Sequence, residues 1–271
     1  MTASPRRTFH YHANAHVLSG LFTRPIQHLI EVQGASSLPS IGGHGKARVD
    51  DFRLEHFVFL KRGYSHVSGS SQELDGKTHY TTLVTSVAEG VNILDVVTAD
   101  RIVGRFASNF SFDENHKEPL FTFVGSRFDN LRIAGCKTKI ELDVEFFEKI
   151  PTYEAARNEF KKNPEFKRMA EDALATGEKL PEPAECGTIL CSAINQKKMQ
   201  TECPGVVRKG HCFHIPKFGR LYLGELLIRY GHRTLTMIRF ELGSPVSGTG
   251  TVVQLDSDGT PIPPPKGPLG G

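Results

Sequence analysis

Tryptophan is absent from the 271 residues and methionine occurs only four times; beside six tyrosines, most of the aromatic packing falls to 18 phenylalanines. No apolar run approaches the roughly 18 residues of a membrane-crossing helix, which excludes a helical membrane span. The N-terminal stretch MTASPRRTFHYHANAH carries two arginines but no apolar h-region behind them, so it does not read as a secretory signal. No GK[ST] occurs, and no G-x-G-x-x-G stands between a strand and a helix. The Gly-rich stretch LPSIGGHGKA (38–47) is therefore read as a loop and not as a phosphate cradle. Cysteine is sparse as well. Five cysteines without a signal segment favour free thiols in a reducing compartment, and the expected location is cytoplasmic. A formal net charge of +3 argues neither for nucleic acid nor for an acidic membrane. The basic stretch KKNPEFKR (161–168) is explained by a solvated helix face, so no nucleic-acid partner is expected.

What the chain has in abundance is alternation. In Thr81–Asp113, Val84, Ser86 and Ala88 fall opposite Leu83, Thr85 and Val87, and Ile102, Gly104, Phe106, Ser108, Phe110 and Phe112 share a face beyond a break at 98–100. Side chains on a strand point alternately to opposite faces, so these are strands with one apolar side. Phe52–Leu60 reads as a more buried strand, and Ile140, Leu142, Val144 and Phe146 as a strand with one dry face. Leu74-Asp75-Gly76 between alternating segments signals a tight hairpin, and Gly231-His232 marks a second one. Glu225, Arg229, Arg239 and Glu241 fall among the later strands as surface cross-strand pairs. The short strand TVVQL is expected to turn at Ser257-Asp258-Gly259.

Helical character is confined to 152–177. Thr152 caps TYEAARNEFKK, and Asn163-Pro164 caps a second helix with Phe166, Met169, Ala170, Ala173 and Leu174 on one stripe and a stop near Gly177. The resulting expectation is an all-β, mainly antiparallel sandwich or barrel. One β-rich domain spans 1–260 with the helical insertion 152–177, followed by an extended Pro/Gly-rich tail at 261–271.

The sharpest candidate for chemistry is the first strand, where His10, His12 and His16 project from the face opposite Phe9, Tyr11, Ala13, Ala15 and Val17. At the strand rise, His10 and His12 lie ~6.6 Å apart and His16 about 13 Å beyond His12. His10 and His12 could thus share a metal ion, with a further ligand from another strand. His28, His44, His56, His66 and His79 are the available donors. The pair resembles the opening of the cupin motif, but Val17–Gly20 lack the glutamate that should follow. Four cysteines, Cys186, Cys191, Cys203 and Cys212, crowd one stretch. Their spacing suits no standard zinc site, four would allow three disulfide connectivities, and inert buried thiols are the plainer reading.

Two segments, NILDVVTADRIVGRFA (92–107) and SRFDNLRIAG (126–135), are similar to stretches of poorly characterised β-rich bacterial proteins, including the choice-of-anchor proteins. The resemblance implies extended β architecture and brings no catalytic residues. The leading functional expectation is a non-enzymatic β scaffold that forms a homo-oligomer or binds a protein partner through exposed strand edges. The alternatives are a metal-binding barrel enzyme using His10 and His12, and a barrel holding a small apolar ligand against Phe106, Phe110 and Phe112. The sequence identifies no cofactor.

Overall fold

The computed structural model describes residues 8–112, 117–173, 186–200 and 203–262. The chain opens with β1 (Thr8–Arg24), β2 (His28–Gln33) and the two-residue β3 (Ser36–Ser37). Four long strands follow, β4 (Gly43–Leu54), β5 (Val58–Leu74), β6 (Lys77–Ile93) and β7 (Val97–Ser111). Short strands come next: β8 (Leu120–Phe123), β9 (Arg127–Asp129), β10 (Arg132–Ile133) and β11 (Cys136–Lys137). Helices α1 (Val144–Glu148), α2 (Tyr153–Lys162) and α3 (Pro164–Ala173) lead to β12 (Thr188–Ser192), β13 (Val207–Lys209) and β14 (Cys212–Ile215). The last strands are β15 (Gly219–Arg229), β16 (His232–Leu242) and β17 (Ser247–Ile262).

These strands form an all-β sandwich. A nine-stranded sheet runs β13-β14-β15-β16-β17-β1-β2, with β12 beside β15 and β3 beside β1. An eight-stranded sheet runs β11-β10-β7-β6-β5-β4, with β8 and β9 beside β7. The sheets are antiparallel, and β1 and β17 lie across β5, β6 and β7. Between them sit Val17, Val84, Ile102, Phe106, Val253 and Leu255, all buried. Ser86 donates to the carbonyl of His16 at 2.8 Å, so a polar side chain of the inner face is satisfied across the sandwich.

Each sheet switches sides once, along a row that crosses four strands. On β1 the buried residues are Phe9, Tyr11, Ala13, Ala15 and Val17, then Leu18 and Phe22. The same change of parity falls between Val253 and Val252, between Met237 and Ile238, and between Leu223 and Leu226. Pairing skips Val17, Val253, Met237 and Gly224, while the residues on either side keep their register. Val253 and Gly224 have φ of 57° and 61°. A residue in this left-handed region turns the backbone over, so alternation resumes from the opposite parity. In the eight-stranded sheet the skipped row is Asp51, Lys61, Gly90 and Asp100, with positive φ at Asp51 and Gly90. The interruption of alternation at 98–100 is this switch, and β7 runs straight through it.

Several expected elements take another form. Phe52–Leu60 is a hairpin: β4 ends at Leu54, Glu55 has a positive φ, and β5 starts at Val58. Lys139–Asp143 makes only isolated bridges to Ile194 and Gln200, and Val144–Glu148 is helical. A helical turn lets the adjacent Phe146 and Phe147 both pack inward, on Phe166 and Phe123. β17 does not turn at Ser257–Gly259, because Gly259 makes room for a ring: a Cβ there would lie 2.0 Å from Phe9. The helical insertion keeps its expected caps. Thr152 accepts from Ala155 N, and Asn163 accepts from Glu165 N and Phe166 N. Phe166, Met169 and Ala170 are buried, while Leu174 and Gly177 lie outside the described residues, as do 263–271 of the tail.

Candidate functional site

The outer face of the nine-stranded sheet carries a polar seam built by register. Strand β1 presents His10, His12, Asn14 and His16 to this face because Phe9, Tyr11, Ala13 and Ala15 take the inner one. Opposite them, β17 presents Thr260, Asp258, Asp256 and Gln254, and β16 adds His232 and Thr234 opposite Asp258 and Asp256. His10 and His12 are both exposed, and His12 has partners on neighbouring residues of the sheet. His12 Nδ1 lies 2.7 Å from Asp258 Oδ1, and its Nε2 accepts from Asn14 at 3.2 Å. Asp258 Oδ2 lies 3.5 Å from His232 Nδ1, so one carboxylate stands between two imidazoles. Among the described residues, no three His, Cys, Asp or Glu side chains are grouped as a metal site.

Hydrogen-bond counting fixes a proton in this seam. Thr234 donates its one hydroxyl hydrogen to Asp256 at 2.7 Å, so it can only accept from His232 Nε2 at 3.0 Å. His232 therefore carries a proton on Nε2. Farther along, His16 Nε2 meets Ser19 and Thr251, each at 3.2 Å. Burial pushes the His16 pKa below the usual imidazole value, and Asp256 pulls it partly back.

The second polar cluster lies across the side switch at Gly224, and Glu225, Tyr222 and His211 within it are buried. Arg239 grips Glu225 with two nitrogens at 2.6 and 2.8 Å, also binds Glu241, and lies 3.6 Å above the Tyr222 ring. Tyr222 donates to Glu241 at 3.1 Å. The cross-strand pairing of Glu225 with Arg239 is present, but Glu225 is only 7% exposed, so for this residue the expected surface position is corrected. Burial drives its carboxyl pKa up, but Arg239 and His211 outweigh that and hold it below the ordinary value. His211 is fully buried and neither ring nitrogen has a hydrogen-bond partner among the described residues; its Nε2 is 3.8 Å from Glu225 Oε1.

The cysteines resolve into three classes. Cys203 is disulfide-bonded to Cys136, which lies outside the 186–212 cluster, so the expectation of five free thiols is corrected for this pair. Cys191 and Cys212 are buried, and desolvation pushes their thiols up to about 12 and about 11. Cys186 is exposed. The apolar-ligand reading finds a cavity of about 20 Å³ between the sheets, lined by Phe106, Phe121, Phe147, Leu226 and Arg233. That is a small space among packed rings and the Arg233 guanidinium. Phe110 packs instead on Phe9 and Phe112.

The sheet edges differ in how they are defended. The long edge strand β4 carries Lys46, Arg48, Asp50, Asp51 and Arg53, and is irregular at Asp51. Charge and irregularity both discourage edge pairing. The edge strand β2 has the sequence HLIEVQ, with Glu31 as its one carboxylate. Leu29 is 64% exposed and Val32 55%. Only Ile30 of this strand is buried; the register slips before Gln33, which turns Val32 outward together with Leu29. Leu21, directly opposite Leu29 on β1, is exposed as well. None of the sequence-derived site residues lies on this strand except His28. In the sequence the stretch appears as Ile26, His28, Ile30 and Val32 alternating with Gln27, Leu29, Glu31 and Gln33, a pattern that marks a strand but not which of its sides stays open.

The chain belongs to the family described as Domain of unknown function (DUF8256), whose model matches residues 9–229. The matched stretch ends before β16 and β17, yet these two strands stand between β15 and β1 in the nine-stranded sheet. No curated protein and no solved structure matches.

Proposed function

We propose that this member of the DUF8256 family is a non-enzymatic β scaffold that works by contact with another polypeptide, added along β2. One observation carries the reading: β2 is an edge strand without the charges that guard β4, and it turns Leu29 and Val32 to solvent. An exposed edge offers unpaired N–H and C=O groups as a template, and side chains beside it give selectivity. The seam from His12 to His232 is satisfied internally and belongs to the sheet it crosses. The test is a photo-crosslinking amino acid in place of Leu29, introduced in cells that normally express the protein, with the same residue at Arg53 on β4 as control. Adducts at position 29 mapping to a defined polypeptide, and none at 53, are expected. Equal labelling at both positions, or no adduct at 29, would remove the reading.

A further inference from the structure

We infer that the polypeptide on β2 is a second copy of this chain, in a two-fold antiparallel pairing with Leu29 on the axis. This rests on the edge reading above and goes on to identify the occupant. A two-fold axis normal to a sheet leaves every side chain on its own face, so residues set opposite each other must share a face, which over His28–Glu31, before the register slip, means the same parity. Only registers centred on a residue are then allowed, and few are available on so short a strand.

Centred on Leu29, the pairing sets Leu29 against Leu29 of the second copy, His28 against Ile30, and Glu31 against Gln27, the residue that precedes β2. Because Leu21 lies beside Leu29 on β1, the outer face of the joined sheet gains a row of four leucines from two copies. Each Glu31 carboxylate meets an amide, not its own copy. The neighbouring registers are worse. Centring on Ile30 sets each Leu29 against a glutamate, and centring on Glu31 opposes two carboxylates, which is destabilising. Centring on His28 opposes two imidazoles and leaves each Leu29 facing Gln27. The strand is thus self-complementary in charge and apolar character in one register. A foreign strand need not satisfy that condition; a second copy satisfies it by sequence.

Sedimentation velocity across the micromolar range tests the inference, together with engineered variants. The native chain is expected to be a dimer. Leu29→Lys, on an exposed site that leaves folding intact by circular dichroism, puts two ammonium groups on the axis and is expected to raise the dimer Kd at least about tenfold. In a Cys186→Ser background, Leu29→Cys is expected to form an intermolecular disulfide, since opposed residues sit roughly 4.5–5.5 Å apart at Cα. Val32→Cys, off the axis, is expected not to form one. A monomer throughout the range, a dimer indifferent to Leu29→Lys, or a disulfide formed by the Val32→Cys variant and not by the Leu29→Cys variant overturns it. A monomer that still photo-crosslinks a different polypeptide at position 29 leaves the edge reading standing and removes only the second copy.

Discussion

Removing the Cys136–Cys203 bond with the double substitution Cys136→Ser, Cys203→Ser should lower stability by about 4 kcal/mol. The bond joins residues 67 apart, and the chain-entropy relation for a loop of that length gives this figure at 25 °C. The closed loop contains α1–α3 and β12, entered through a hydrogen-bonded neck. Lys139 and Gln200 exchange backbone bonds at 3.0 and 3.1 Å, Asn195 N donates to Glu141 O, and Asp143 N donates to Ala193 O. None of these bonds involves Cys136 or Cys203, so they are expected to hold the neck in the native state without the disulfide. The loss therefore falls on the unfolded chain, which gains freedom, and not on the folded contacts. The assay is urea unfolding with and without a thiol reductant, followed by circular dichroism. The oxidised native protein should unfold at higher urea than either the reduced protein or the double variant, and the variant should ignore the reductant. Its urea slope should also rise, because an uncrosslinked chain exposes more surface. Backbone amides of α2 and α3 should stay protected under native conditions. The reasoning is refuted if the disulfide changes stability by less than about 1 kcal/mol, or if those helices lose protection on reduction.

Acid titration should expose Glu225. Its folded pKa is depressed, so its contribution is fully present above the ordinary carboxylate value, ~4.3, and is lost as pH falls through the folded value. Glu225→Gln should flatten that acid limb of urea midpoint against pH, and at neutral pH it should cost about 3 kcal/mol by leaving Arg239 half-paired; an unchanged acid limb would count against the ion pair as its source. Thiol alkylation of the native protein at mildly alkaline pH should label Cys186 and spare Cys191 and Cys212, whose burial raises their pKa values. Comparable labelling of Cys212 would show that the Tyr222 face is open to solvent.

Local patterns in the sequence carried local structure well, for reasons visible in the fold. The alternation from Phe9 to Val17 is one face of β1, and Asp75-Gly76 takes the two positive φ values, 51° and 72°, of a tight hairpin. Thr152 and Asn163 cap the helices because each side-chain oxygen can reach amides two or three residues on, a distance written in the chain itself. What escaped is whatever depends on which strands become neighbours. His12 finds Asp258 only because β17 returns to pair with β1, so its partner comes from the other end of the chain and not from His10 on the same strand. Cys136 joins Cys203 across the base of the insertion, although the four cysteines of 186–212 are nearer to one another in sequence. The side switch was harder still. Gly90 and Gly224 could be suspected, but Asp51 and Val253 adopt the same left-handed backbone without glycine's freedom, at a cost that only the packing of two whole sheets sustains. That switch is also what places Leu21 beside Leu29 on the outside. After Val17 and Leu18 both turn inward, the odd positions of β1 face solvent, and β2, paired to that far half, inherits an apolar outer row. The undefended edge is therefore a consequence of the bend in the sheet, which is why the interaction surface could be recognised from the fold and not from the hydrophobicity of HLIEVQ.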